Sequence, residues 1–228
     1  MLSAIVLAAG KGARLKNRLP KPLVKIGGRP AIIYALESLE RHPRIGEIVL
    51  VLSAANRERI TRFLRPYRFR KIKALVLGGR RRQDSVYNGL KAVSTGSEWV
   101  LVHDSARPFI GSGLISRVVA GAKKSGAALP AVKAKATIKF SEDGRKVKCT
   151  LDRDKLWEAQ TPQVFRKELL AEAYRRRSRG TVTDDASLLE KMGRRVNIVE
   201  GDYENIKITT ADDLLIADFI ARKRGYAV

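Results

Sequence analysis

The feature that most constrains this chain is a rhythm in its first hundred residues. Short apolar runs at 4–7, 48–52, 72–77 and 99–102 alternate with amphipathic stretches at 30–40, 57–64 and 84–93. A strand with one solvated face reads as alternating, whereas one covered on both faces reads as continuously apolar. Ala4-Ile5-Val6-Leu7 and Ile48-Val49-Leu50-Val51-Leu52 are of the second kind. The alternation predicts an α/β fold: a Rossmann-like, mostly parallel sheet with helices on both faces. Such sheets bind ligands at the carboxyl ends of their strands. Three glycine- or acid-bearing loops fall there: Ala8-Ala9-Gly10-Lys11-Gly12, Gly78-Gly79-Arg80 and His103-Asp104-Ser105-Ala106-Arg107.

After about residue 132 the rhythm breaks. Segments 137–140 and 146–150 flank Glu142-Asp143-Gly144, and an Asp-Gly pair between alternating segments predicts a β-hairpin. So polar an excursion has little core of its own. The expectation is one domain, 1–228, with a protruding hairpin arm at about 134–155 through which the chain forms a homodimer. Helices are expected at 166–177, 184–192 and 211–223, and a strand at 195–199.

Charge bears on the ligand. The chain has 46 Lys and Arg against 23 Asp and Glu, a net +23. That surplus suits either phosphorylated substrates or nucleic acid. The basic residues are spread along the whole chain and aromatic residues are only 6%, which leaves little for base stacking and argues against nucleic acid. Arg175, Arg176, Arg177 and Arg179 read as a solvated face near a helix C-terminus, where cations offset the dipole. The apolar opening at 2–9 reads as a first strand, not a signal peptide, and no run approaches the roughly 20 residues of a membrane-spanning helix. The only cysteine, Cys149, leaves no intramolecular disulfide, and the expected location is cytoplasmic.

The strongest chemical signal is the stretch 7–15, followed by Leu19-Pro20-Lys21-Pro22-Leu23. Ala8, Ala9, Gly10 and Gly12 are small enough to let the backbone approach phosphate and aim its N–H groups at it. The third glycine of a dinucleotide fingerprint is absent, as is a P-loop. What remains is a phosphate cradle with two cations, Arg14 and Lys21, placed where charge builds up as pyrophosphate leaves a nucleoside triphosphate. Asp104 ends a buried strand and is the one candidate side chain for a Mg²⁺ ion or a ribose hydroxyl. His42 and His103, the only histidines, make no nucleophile and base pair. An attacking phosphate monoester needs none, since its second pKa is about 6. It needs positioning, for which Thr137, Arg153, Thr161, Thr183 and Lys207 supply hydroxyls and cations.

These residues, together with Asp84-Ser85-Val86, Asp152-Arg153, Leu156-Trp157, Thr161-Pro162-Gln163, Thr183-Asp184-Asp185-Ala186 and Asn205-Ile206-Lys207, resemble the 2-C-methyl-D-erythritol 4-phosphate cytidylyltransferases nearly end to end. The resemblance implies transfer of CMP from CTP to that polyol phosphate, with a divalent cation such as Mg²⁺ on the CTP phosphates and a dimerising arm. It assigns Arg14 and Lys21 to the α-phosphorus, and Ala8, Ala9, Gly10, Gly12, Gly79, Ser85, Asp104 and Ala106 to CTP. Arg153 and Lys207 fall to aiming the attacking phosphate, with Thr137, Thr161 and Thr183 beside the polyol. Three residues depart from the family pattern: Arg80 in place of an Asp beside cytosine, Ala136 in place of an Asp, and Ser105 in place of an Ala. Ala136 keeps a ribitol 5-phosphate cytidylyltransferase as the alternative. The first 25 residues also resemble sugar 1-phosphate nucleotidyltransferases, and a basic nucleic-acid-binding protein on the same scaffold is the reading from a different class.

Overall fold

The computed structural model describes residues 1–10, 20–176 and 180–226. Gly12, Arg14, Arg177 and Arg179 therefore lie outside the described residues. Strand β1 (Leu2–Ala8) opens the fold, and a short ladder of β2 (Lys25–Ile26) with β3 (Arg29–Pro30) leads into helix α1 (Ala31–Arg41). Then come β4 (Ile45–Leu52), α2 (Ala54–Leu64), β5 (Ile72–Leu77), α3 (Arg82–Lys91), β6 (Trp99–Asp104), α4 (Ser112–Ser125) and β7 (Ala127–Lys133). A hairpin of β8 (Lys139–Phe140) and β9 (Cys149–Thr150) precedes β10 (Trp157–Ala159) and β11 (Gln163–Arg166). Helices α5 (Lys167–Arg176) and α6 (Ala186–Glu190), strand β12 (Asn197–Glu200) and helix α7 (Ala211–Lys223) follow.

The main sheet runs β10-β7-β11-β6-β1-β4-β5, with β12 on β7. β1 is parallel to β4 and β6, and β4 to β5. β11 is antiparallel to both β6 and β7, so β7 points the same way as β6, and β12 runs parallel to β7. One rim of the sheet thus collects the carboxyl ends of six strands, and β10 and β11 start from that rim.

Burial explains the apolar runs. Ala4, Val6 and Ala8 of β1 join a core with α1, α2 and α4, while Ile5 between them joins a second core with α3, α5 and α6. Both faces are covered, so the strands need no polar alternation. Each fully buried Leu, Ile or Val there contributes about 1.5–3 kcal/mol. At Gly89 of α3 an added Cβ would lie 2.6 Å from Ile5 Cγ2, so glycine lets the helix sit on the strand. A third, smaller core joins α7 to Ile26, Tyr34 and Phe109.

Three differences from expectation have a local physical cause. Helix α3 starts at Arg82, two residues early, because the Asp84 carboxylate accepts the Arg81 N–H at 3.1 Å and closes a capping box. Helix α6 is shorter than 184–192, because Asp184 caps it from outside, accepting the Ser187 N–H at 3.1 Å. The β8–β9 ladder has two residues per strand, since a two-stranded ladder with no covering layer is marginal in water. Among the described residues, no helix is long and apolar enough to cross a membrane.

Candidate active site

The rim is assembled first by close backbone approach. Where β1 ends, the Ala8 carbonyl accepts from Asn56 Nδ2 at 2.9 Å, which ties the start of α2 to the loop entered at Ala9 and Gly10. An added Cβ would lie 2.6 Å from Ala9 Cβ at Gly78 and 2.3 Å from Asp84 Cβ at Gly79. Only glycines let the end of β5 pack against both the first loop and α3. The Gly79 N–H donates to Ser85 Oγ at 3.0 Å, and that hydroxyl donates to the Arg81 carbonyl at 3.2 Å. Ser85 is buried, so it braces the glycine turn from beneath.

Charge at the rim centres on Asp104, the last residue of β6. Its Oδ1 accepts from Arg82 Nε at 3.1 Å and its Oδ2 from Lys207 Nζ at 2.6 Å. Arg82 Nη1 continues to Asp185 Oδ2 at 2.8 Å, and Tyr174 Oη donates to Asp185 Oδ1 at 2.5 Å. Burial alone would raise the Asp104 carboxyl, but Arg82 and Lys207 outweigh it and hold the group well below the usual carboxylate range. For Arg82, burial works against the charge, yet Asp185 and Asp104 raise its pKa above the ordinary value. Asp104 is an anion, paired and oriented by two cations.

Lys207 reaches this point because its segment is stitched to the end of β6. The Ile208 N–H donates to the Ala106 carbonyl at 2.9 Å, Arg107 Nη1 to the Asn205 carbonyl at 2.7 Å, and Asn205 Nδ2 to the Thr161 carbonyl at 2.8 Å. Ser105 Oγ donates to the Leu7 carbonyl at 2.7 Å and locks β6 to β1. His103 lies 3.0 Å through Nε2 from the Arg107 carbonyl and 3.0 Å through Nδ1 from Thr161 Oγ1. A carbonyl only accepts, so Nε2 carries the proton and Nδ1 accepts from the Thr161 hydroxyl. Burial pushes His103 down to about 4, so it stays neutral at ordinary pH. Thr161 Oγ1 also accepts the Asp104 N–H at 3.2 Å.

The candidate residues thus divide into two groups. Asp104, Ala106, Thr161 and Lys207 are brought together, with Ala8, Gly79 and Ser85 along the same rim. Thr161, expected beside the polyol, is buried against the rim, its hydroxyl donating to His103 Nδ1 and accepting the Asp104 N–H. Lys21 sits half-buried in a single 3₁₀ turn anchored by the buried Pro22 and Leu23. Thr183 is exposed in a loop held by Gln83, which donates to the Gly180 carbonyl at 3.0 Å and accepts from the Val182 N–H at 3.0 Å. Thr137 and Arg153 are exposed on the arm, and Arg153 Nη1 donates to the Lys135 carbonyl at 3.1 Å. Among the described residues neither bonds to the Asp104 cluster.

Sequence reasoning missed Arg82, Gln83 and Tyr174. Arg82 is the third of three consecutive arginines and looks solvated; its only signal was its place at the start of a helix following a glycine loop. Among the described residues no three His, Cys, Asp or Glu side chains gather to hold a metal by themselves. Asp104 does fit a Mg²⁺ ion that arrives with phosphates, because such ions take one or two carboxylates and complete their shell with phosphate and water. Each of its oxygens keeps a second lone pair beyond the one facing Arg82 or Lys207.

A family model described as 2-C-methyl-D-erythritol 4-phosphate cytidylyltransferase matches residues 2–223. The curated protein of that name from Geobacillus kaustophilus is 47% identical over 223 residues, covering 97% of each chain. The one from Alkaliphilus oremlandii is 43% identical over 225 residues, covering 97% of this chain and 95% of its own. Among solved structures, 4-diphosphocytidyl-2C-methyl-D-erythritol synthase from Anaerococcus prevotii superposes with a TM-score of 0.85 at 36% identity, over 97% of this chain and 96% of the other. The Thermus thermophilus 2-C-methyl-D-erythritol 4-phosphate cytidylyltransferase gives 0.78 at 33% identity, over 97% and 100%.

Proposed function

The chain belongs to the 2-C-methyl-D-erythritol 4-phosphate cytidylyltransferase family, and from that premise we infer that it transfers CMP from CTP to 2-C-methyl-D-erythritol 4-phosphate and releases pyrophosphate. It is a nucleotidyltransferase of isoprenoid precursor biosynthesis. The observation that carries this reading is the family match across residues 2–223. Neither the ribitol phosphate alternative nor the nucleic-acid reading is favoured beside it.

In the reaction an oxygen of the polyol phosphate attacks the α-phosphorus of CTP, the new P–O bond forms, and the bond to pyrophosphate breaks. No proton has to be removed from the attacking dianion, so a neutral, walled-in His103 is no handicap. Arg14 and Lys21 stabilise the charge that develops at the α-phosphate and on the leaving pyrophosphate. Lys207 and Arg153 aim the attacking phosphate. Ala8, Ala9, Gly10, Gly12, Gly79, Ser85 and Ala106 bind the nucleotide, with Ser85 also bracing the Gly79 turn. Arg80 is exposed beside Gly79, and the cytosine amino group is read by a backbone carbonyl, which can accept from it. Asp104, with the CTP phosphates, would hold a Mg²⁺ ion, which would supply charge neutralisation on the triphosphate.

Thr137, Thr161 and Thr183 lie beside the polyol phosphate, Thr161 also bracing the rim through His103 and the Asp104 backbone. Thr137 and Arg153 come from the arm of a second copy of the chain. Supporting this, the arm and its base leave Phe140, Val147 and Trp157 exposed at 44%, 62% and 41%. The reaction is assigned to the cytoplasm, in keeping with a single, exposed Cys149. The test is pyrophosphate release with Mg²⁺ and CTP, comparing methylerythritol phosphate with ribitol 5-phosphate, then replacing CTP by ATP, GTP and UTP. Release with methylerythritol phosphate and CTP alone is expected; preference for ribitol phosphate would overturn the substrate assignment.

A further inference from the structure

We propose that Arg82 is a positioning residue of the nucleotide site: clamped from behind by Asp185 and Tyr174, its guanidinium fixes the Asp104 carboxylate and, through it, Lys207. The inference rests on the reading that CTP binds against Asp104.

Of the three arginines at 80–82, each does something different. Arg80 is exposed. Arg81 forms a local fork on Asp84, with Nε to Oδ2 at 3.1 Å and Nη2 to Oδ1 at 3.0 Å. Arg82 alone turns inward, and its fork is split between two carboxylates from distant parts of the chain: Nε to Asp104 and Nη1 to Asp185. A guanidinium is planar and rigid, so two anions bonded to different nitrogens are held at a set separation and tilt. An ammonium on a flexible stem could hold one of them, not both in register.

The far side of this clamp is itself fixed. The Asp185 side chain is fully buried, and its second oxygen takes the Tyr174 hydroxyl. Tyr174 belongs to α5 and stacks on Tyr87 of α3, ring centroids 5.7 Å apart. The near side opens on the rim, where Asp104 Oδ2 holds Lys207. Lys207 is the more exposed of the two cations, with 40% of its side chain accessible against 25% for Arg82. One oxygen of Asp104 is therefore held by a half-buried, doubly anchored cation and the other by a more exposed cation that can answer to substrate. Arg82 has no need to touch CTP; it sets the plane in which Asp104 meets it.

A half-buried ion pair that served folding alone would look similar, and a double-mutant cycle separates the two. CTP affinity is measured by calorimetry in Mg²⁺ for the full-length protein and for Arg82→Gln, Asp104→Asn and the double variant. If Arg82 acts through Asp104, Arg82→Gln weakens CTP about tenfold in the natural chain but less than about twofold once Asp104 is Asn. Equal losses in both backgrounds, or no loss in the natural chain, would overturn the proposal. Should Arg82→Gln fail to fold, Asp185→Asn loosens the same clamp and is read in the same cycle. A loss of about threefold confined to the Asp104 background is expected, and equal losses again overturn it. Absence of CTP binding by the natural chain would instead bring down the reading of the site, and this inference with it.

Discussion

The rim around Asp104 and the arm at 134–155 carry the two halves of the proposed site, and they are built in opposite ways. At the rim, Asp104, His103, Thr161 and Asp185 are buried and bonded to one another or to close neighbours. The arm is exposed from residue 142 to 155 and held by local contacts. Asp143 Oδ1 accepts from Ser141 Oγ and from the N–H groups of Arg145 and Lys146, and Lys148 pairs with Glu142 at 2.5 Å. Such solvated pairs contribute about 0–1 kcal/mol. The rim is therefore set by the folding of one chain. The arm leaves apolar side chains bare and, in the proposed dimer, is completed by a second copy.

If that contrast holds, substitutions at the two regions should fail differently. The largest effect is expected at Lys21, where Lys21→Ala should lower kcat by about 10²–10³-fold with little change in the KM for CTP, since the lysine acts on charge that develops in the transition state. The variant should sediment like the natural chain. A change confined to KM would contradict that role. Next, Phe140→Asp with Val147→Asp should yield a monomer that keeps the helix and sheet signals of the fold but loses at least about tenfold in activity. A fully active monomer would break the comparison outright.

The smallest effect is a pH dependence belonging to the rim alone. His103 is held neutral in the fold, at about 4 against an ordinary value of 6.5. Between those values the unfolded chain binds the extra proton, so stability is complete above about pH 6.5 and falls as pH drops towards 4, by on the order of 3 kcal/mol. Asp104 adds nothing in that window, because its depressed carboxyl loses stability only below the ordinary carboxylate value. Denaturant titrations of His103→Gln should show a flatter profile from pH 6.5 to 4, whereas an unchanged slope would assign the effect elsewhere.

How much of this was legible in the sequence also divides along the same line. Strands β1, β4 and β6 could be read because burial on two faces leaves an uninterrupted apolar run, whereas β7, carrying Pro130, was not read; α7 was legible to its bounds, with Thr210 and Asp213 forming its capping box. Asp104 was legible as a rim residue, because acid- and glycine-bearing loops at strand ends mark ligand sites in such sheets; Lys207 was legible only as a cation of the second half and through the resemblance of Asn205-Ile206-Lys207. Arg82 was not, because what turns it inward is Asp185, a hundred residues further on. Thr161 was read for its hydroxyl, and nothing local reveals that β11 starts opposite Val102 and so brings the Thr161 hydroxyl to the Asp104 N–H. The arm's ladder was overestimated because period-2 alternation reports a preferred face, not whether a partner strand is held against it.

The measurement that tests the divided site most directly mixes two inactive variants, Lys21→Ala in the N-terminal half and Arg153→Ala in the arm, under conditions where tagged subunits demonstrably exchange. In a mixed dimer one site receives an intact Lys21 from its own chain and an intact Arg153 from its partner. Random exchange of equal amounts should then restore about one quarter of the natural activity. Activity no greater than the sum of the two variants, despite proven exchange, would mean that each chain builds its site alone.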